Sequence, residues 1–131
     1  MKVLDSDILI ALLRNDRASI EKLRELSESR DIITTTIFNG QEILFGALMT
    51  DEVDRSLKPA KELADSLEIL CYEKEDMMQT IKILAFLEKR GSHISLIDEM
   101  IAGICLNRRA TIVTRNVKHF SRIPGLKVEE W

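Results

Sequence analysis

Apolar residues recur along this chain in two rhythms. Short runs, "KVLD" at 2–5, "DIITTT" at 31–36, "LEILCY" at 67–72, "TIVT" at 111–114 and "LKVEE" at 126–130, are apolar or β-branched and flanked by polar residues. That is the mark of buried strands. Between them, spacing of three and four predicts helices. The first runs from about Asp7 to Arg14, with Ser6 as its N-cap. Residues 16–30 follow, with Ile20, Leu23 and Leu26 on one stripe. Helices at 36–50 and at 51–67 come next, the latter broken by Pro59. Two more run from Glu75 to Arg90, closed by Gly91, and over 96–109. Strands alternating with helices imply an α/β fold, a central parallel sheet of four to five strands in three α/β/α layers. No repeat or Pro/Gly-rich linker divides the chain, so residues 1–131 read as one domain. In open sheets of this kind ligands bind beyond the carboxyl ends of the strands. Asp5, Thr34–Thr36, Arg115 and Asn116 share that rim.

Three carboxylates break the pattern. Asp5, with Ser6 and Asp7 after it, interrupts the most apolar run of the chain, "MKVLDSDILIALL". Glu42 shares a helical stripe with Phe38, Phe45 and Met49. Asp98 shares one with Ile94, Ile101 and Cys105. A buried carboxylate without a partner takes up a proton or finds a cation. Any one of these acids reads as a helix-end carboxylate that reaches water. Three together, one at a strand end and two near helix N-termini, point to a metal. Hard oxygen ligands with open positions suit Mg²⁺ or Mn²⁺. His93 and His119 are single, lack zinc-type spacing, and read as surface or loop residues.

Composition narrows the classes. Hydrophobic residues at 45% and charged residues at 31% exclude a disordered chain. No apolar run approaches the roughly 20 residues of a membrane span. Asp5 and Asp7 also spoil a secretory h-region, so a cytoplasmic location is expected. Cys71 and Cys105 are isolated and read as reduced core residues. The net charge of −3 hides an asymmetry. Between Met100 and Val128 lie Arg108, Arg109, Arg115, Lys118, Arg122 and Lys127, with no Asp or Glu. Such a segment attracts phosphates locally.

Four blocks, "VLDSDILIALLR", "TTTIFNGQEILFGA", "IDEMIAGICL" and "ATIVTRNVKHFSRIPGLKVEEW", resemble the PIN-domain nucleases, and among them the VapC-type toxins of toxin–antitoxin pairs. The resemblance spans nearly the whole chain, and the last block, with TRN, PGL and the closing Trp131, is the most specific. It implies that Asp5, Glu42 and Asp98 form the catalytic, metal-binding set, with Asp7 supporting from behind. Asn116 stands where relatives carry Asn or Asp, as a neutral ligand or water anchor. Gly103 and Cys105 replace alanines in a small-residue run, a change expected to be neutral for packing.

The activity so implied is that of a Mg²⁺-dependent endoribonuclease. The family partners are a second copy and a small VapB-like antitoxin, whose C-terminal segment covers the active site. Asp5 and Asp98 would hold the ion, and Glu42 would position water or a second ion. Arg115 and Lys118 would fix RNA phosphates, while Ser6 and Thr114 orient waters. Leu44, Leu48 and Leu57 are candidates for a dimer face or an antitoxin groove. A receiver domain is the wrong class, because "EILCYEKED" offers Glu73 and Glu75 where a phosphorylatable Asp is needed. A PIN nuclease of RNA processing or of DNA, and a binding-only PIN domain, are the remaining alternatives.

Overall fold

The apolar runs pair side by side. In a computed structural model that describes residues 1–131, β1 (Lys2–Leu4), β2 (Ile33–Thr36), β3 (Glu68–Leu70), β4 (Thr111–Val113) and β5 (Lys127–Glu129) form one sheet. The order is β3-β2-β1-β4-β5, and every neighbouring pair is parallel. The helices are α1 (Ser6–Leu13), α2 (Arg17–Glu28), α3 (Ile37–Leu48), α4 (Val53–Asp65), α5 (Lys74–Glu88), α6 (Leu96–Asn107) and the single turn α7 (Val117–Phe120). No helix is long and apolar enough to cross a membrane.

Successive strand residues face opposite sides of a sheet, and here both sides are covered. Val3 and Ile112 pack with Leu87, Ile101 and Ile104 of α5 and α6. Leu4 and Val113 pack with Ile8, Leu9, Ile43 and Ala64 of α1, α3 and α4. Chain order reverses at β1, which has β2 on one side and β4 on the other. A crevice opens at such a reversal, beyond the carboxyl ends of the two strands. Asp5 and Thr114 are the residues that follow β1 and β4 there.

Several expectations need correction. Ser6 is the first residue of α1, and Asp5 is its N-cap, accepting from Ser6 N. Pro59 does not break α4, which runs from Val53 to Asp65 through it. The ring is exposed, and burial of Ala60 and Ala64 holds the helix despite the lost N–H. On α2, Leu26 is buried and Leu23 half-buried, but Ile20 is exposed. The stripe of Phe38, Glu42, Phe45 and Met49 is not the inner face of α3: Phe45 is 61% and Met49 70% exposed, and Glu42 is exposed too. Asn39, Gly40, Ile43 and Ala47 turn inward instead. Cys71 is exposed, and only Cys105 lies in the core.

Gly103 is not interchangeable with alanine either. A Cβ there would lie 2.2 Å from Thr80 Oγ1 and 2.9 Å from the Asp76 carbonyl oxygen. The missing side chain lets α5 and α6 approach more closely than two alanine-bearing helices can.

Candidate active site

Asp5 lies at the switch point with its carboxylate almost wholly buried, 7% exposed. Its polar contacts are all with neutral donors. Oδ1 accepts from Ser6 N and from Asn39 Nδ2, each at 2.8 Å, and Oδ2 accepts from Thr114 Oγ1 at 2.6 Å. No lysine or arginine contacts it. Burial pushes its pKa up to about 6; bonds from Thr114 and Ser6 pull against this, while the charges of Asp7 and Asp98 add to it. This is an under-compensated carboxylate of the kind that marks functional sites.

Asp98 comes from the first turn of α6, whose N-cap Ser95 accepts from the Asp98 N–H. Its side chain is partly buried, and Oδ2 lies 3.2 Å from His119 Nδ1. The same ring nitrogen lies 3.0 Å from Asn116 Nδ2. His119 is therefore not a bystander: with Nδ1 protonated it donates to Asp98, and with Nδ1 unprotonated it accepts from Asn116 instead. Asn39 is the other residue that sequence reasoning passes over. It is fully buried on α3, where a lone polar amide amid apolar neighbours is the available signal. It reaches Asp5 because Thr36 caps α3, accepting from Asn39 N and donating to Asn39 Oδ1.

Asp7 uses both oxygens on protein donors. Oδ1 accepts from Trp131 Nε1 at 2.8 Å, and Oδ2 accepts from Arg115 N at 2.7 Å, with Thr114 Oγ1 at 3.2 Å. Ser6 adds only a long contact from Oγ to Asp5, 3.5 Å. Thr114 Oγ1 accepts from Asn116 N at 2.9 Å, which ties the α7 turn to the rim. Asp5, Ser6, Asp7, Thr114 and Asn116 are thus joined in one hydrogen-bonded network, and Asp98 lies at its edge beside His119.

Glu42 stands outside that network. It lines the wall of a groove between α1, α3 and α4, together with Ile10, Arg14, Ile43 and Arg55. No three His, Cys, Asp or Glu side chains stand close enough to hold an ion among themselves. Of the basic pair, Lys118 is exposed with no ion-pair partner. Arg115 is committed: its guanidinium stacks 3.5 Å from the centre of the Trp131 ring and lies 3.9 Å from Asp16.

The donor chemistry fits a hard divalent cation at Asp5 and Asp98. The Asp98 charge raises the proton affinity of Asp5, a repulsion that a cation relieves, and Mg²⁺ completes its shell with water. Glu42 adds nothing to that pair in this arrangement.

Comparison with known proteins agrees with this architecture. The profile of the PIN domain matches residues 2–126. The chain is 30% identical over 129 residues to the tRNA(fMet)-specific endonuclease VapC of Salmonella typhimurium, covering 98% of this chain and 96% of that one. Among solved structures, DNA-bound VapBC from Salmonella typhimurium superposes with a TM-score of 0.88 at 29% identity, covering 99% of this chain and 97% of that one. VapBC2 from Rickettsia felis, bound to a DNA fragment from the promoter, gives 0.91 at 23% identity, covering 99% and 98%, and so supports the fold. With its profile match running almost end to end and its carboxylates at the switch point of the sheet, the chain belongs to the PIN-domain family and, within it, to the VapC proteins.

Proposed function

We propose that this chain is a metal-dependent endoribonuclease, the toxin of a VapBC-type toxin–antitoxin pair. The observation that carries the reading is Asp5: buried, surrounded by neutral donors, contacted by no lysine or arginine, and near enough to Asp98 to feel its charge. Asp5 and Asp98 would hold Mg²⁺ or Mn²⁺. The bound ion supplies Lewis-acid polarisation of a phosphate oxygen and a water of lowered pKa. Asn39 and Thr114 fix the Asp5 carboxylate in orientation, and His119 fixes Asp98. Lys118 contributes an exposed charge for the RNA backbone, and Arg115 a second one held at a set angle by Trp131. Glu42, from its groove wall, would act on a water or on a second ion once substrate is in place.

The same groove supports the partner assignment. It has an apolar floor at Ile10, Ile43 and Ala47, with Glu42, Arg14 and Arg55 along its wall, and holds about 390 Å³. A peptide with an apolar side chain beside a basic one would fill it, as expected of a VapB-like antitoxin tail, and its cation would pair with Glu42. Leu48 is 51% exposed beside Phe45, and Leu44 lines the same patch with Ile37. That patch suits a second copy of the chain. Leu57 lies apart on α4, among charged neighbours.

The test is cleavage of mixed RNA, tRNA included, with and without Mg²⁺, beside Asp98→Asn. Cleavage that needs Mg²⁺ and disappears in the variant is the expected result. Wild-type rates in Asp98→Asn would overturn the reading in favour of a binding-only domain.

A further inference from the structure

Trp131 reaches back to the start of the chain. Its indole Nε1 donates to Asp7 Oδ1, while its ring face carries the Arg115 guanidinium. The Arg115 backbone N–H donates to the other oxygen of the same Asp7, and Arg115 Nε lies 3.5 Å from the Trp131 carbonyl oxygen. One ring therefore fixes an anion at its edge and a cation on its face.

The consequence passes through Thr114. Its hydroxyl has one proton to give and stands between two acceptors, Asp5 Oδ2 at 2.6 Å and Asp7 Oδ2 at 3.2 Å. Its lone pairs are oriented by the N–H of Asn116. With Trp131 and Arg115 satisfying Asp7, the proton goes to Asp5, at the shorter distance. Without the indole N–H, Asp7 loses a donor and competes for that proton. Asp5 then loses a bond that holds its carboxylate in place.

We propose that Trp131 is a positioning residue for the active site. Through Asp7 and Thr114 it directs a hydrogen bond onto Asp5, and through its ring face it holds Arg115 at the angle that substrate meets. The proposal rests on the ribonuclease reading above. A plain packing role for Trp131, which also lies against the core beneath α1, predicts something different.

Trp131→Phe separates the two, because it keeps the ring and removes only the donor. Its kcat should fall roughly 10-fold, as for other lost supports of metal ligands, with KM for RNA within about twofold of wild type. Trp131→Ala should add a several-fold rise in KM, since Arg115 loses its platform. Combined with Asp7→Asn, Trp131→Phe should cost no more than the worse single change, because both act along one path.

A second readout needs no RNA. Trp131 is the sole tryptophan, so the protein has one indole N–H resonance. Asp7→Ala should shift that resonance and speed its exchange with solvent. A Trp131→Phe enzyme with wild-type kcat would overturn the proposal. So would losses equal in the Phe and Ala variants that track only the folded fraction, or an indole resonance untouched by Asp7→Ala. A wild type inert toward RNA would instead overturn the nuclease reading, while the indole resonance still reports on the bond to Asp7.

Discussion

Asp5 and Asp76 are both buried aspartates, and their surroundings are opposite. Asp76 is fully buried in the first turn of α5 and accepts from Arg108 Nη1 at 2.6 Å, Asn107 Nδ2 at 2.8 Å and Glu73 N at 2.9 Å. Its charge is matched by a guanidinium brought from the end of α6. Asp5 receives only neutral donors and faces two like charges, and its pKa climbs to about 6. A buried carboxylate that already has its cation serves the architecture. One that lacks it leaves room for a cation from solution. Sequence shows both as acids in apolar surroundings, and only the neighbours tell them apart.

Removing the built-in cation should have the largest effect. Arg108→Ala leaves Asp76 charged and buried, and should cost about 3–5 kcal/mol in chemical denaturation. RNA cleavage per folded molecule should be unchanged. An equal loss of activity per folded molecule would erase the contrast between the two aspartates.

For Asp5 the sign of the pH dependence is opposite to that of an ordinary ion-paired acid. Its folded pKa is raised, so the folded state holds the proton more tightly than the unfolded chain does. Its favourable contribution is complete below about pH 3.8 and is lost as pH rises through about 6. Without divalent metal, stability should fall by roughly 3 kcal/mol or less across that window. Asp5→Asn should flatten this part of the profile. Mg²⁺ should restore stability at pH 7 in wild type and much less in the variant. Thermal melts from about pH 4 to about pH 7, with Mg²⁺ and with a chelator, check both statements. Equal metal shifts in the two proteins would mean that Asp5 holds no cation.

Gly103→Ala probes the seam that delivers Arg108 to Asp76. Its methyl group would press on the Asp76 carbonyl and on Thr80, so a loss of about 1–3 kcal/mol is expected. Adding Thr80→Ala should recover part of it, because one of the two contacts then opens. Calorimetry of the single and double variants measures this. Smallest is the electrostatic change at the rim. Lys118→Ala should lower the slope of log K against log salt for single-stranded RNA by about 0.7, as one phosphate contact is lost. Arg115→Ala should change the slope less, because that charge is shared with Trp131 and Asp16.

The fold is legible because each strand is a short apolar run and each helix keeps its period. The parallel sheet and both helical layers follow from that alternation. The face of α3 is not legible, because apolar residues cover most of its circumference. Phe38, Phe45 and Met49 mark a stripe as convincingly as Ile43 and Ala47 do, so periodicity assigns Glu42 to an inner face that it does not occupy. His119 is hidden for another reason: a lone histidine carries no spacing, and only the fold brings it against Asp98. Asp5 and Asp98 stand out because a charge amid apolar residues is costly wherever it folds. The roles of Arg115 and Trp131 depend on a stacking contact between residues that periodicity cannot pair.

The hydrogen bond from Thr114 to Asp5 joins residues 109 positions apart, and that separation bears on how the molecule forms. Contacts this distant close slowly, since the chain must surrender much of its freedom before they return any energy. A nascent or partly folded chain can bury α1 against β1 and cap α3 while its acidic pocket is still without a roof. On the proposed reading, the Asp5 carboxylate would gain the Thr114 bond that orients it only when β4 docks beside β1, so a truncated copy lacking β4 would lack an ordered site.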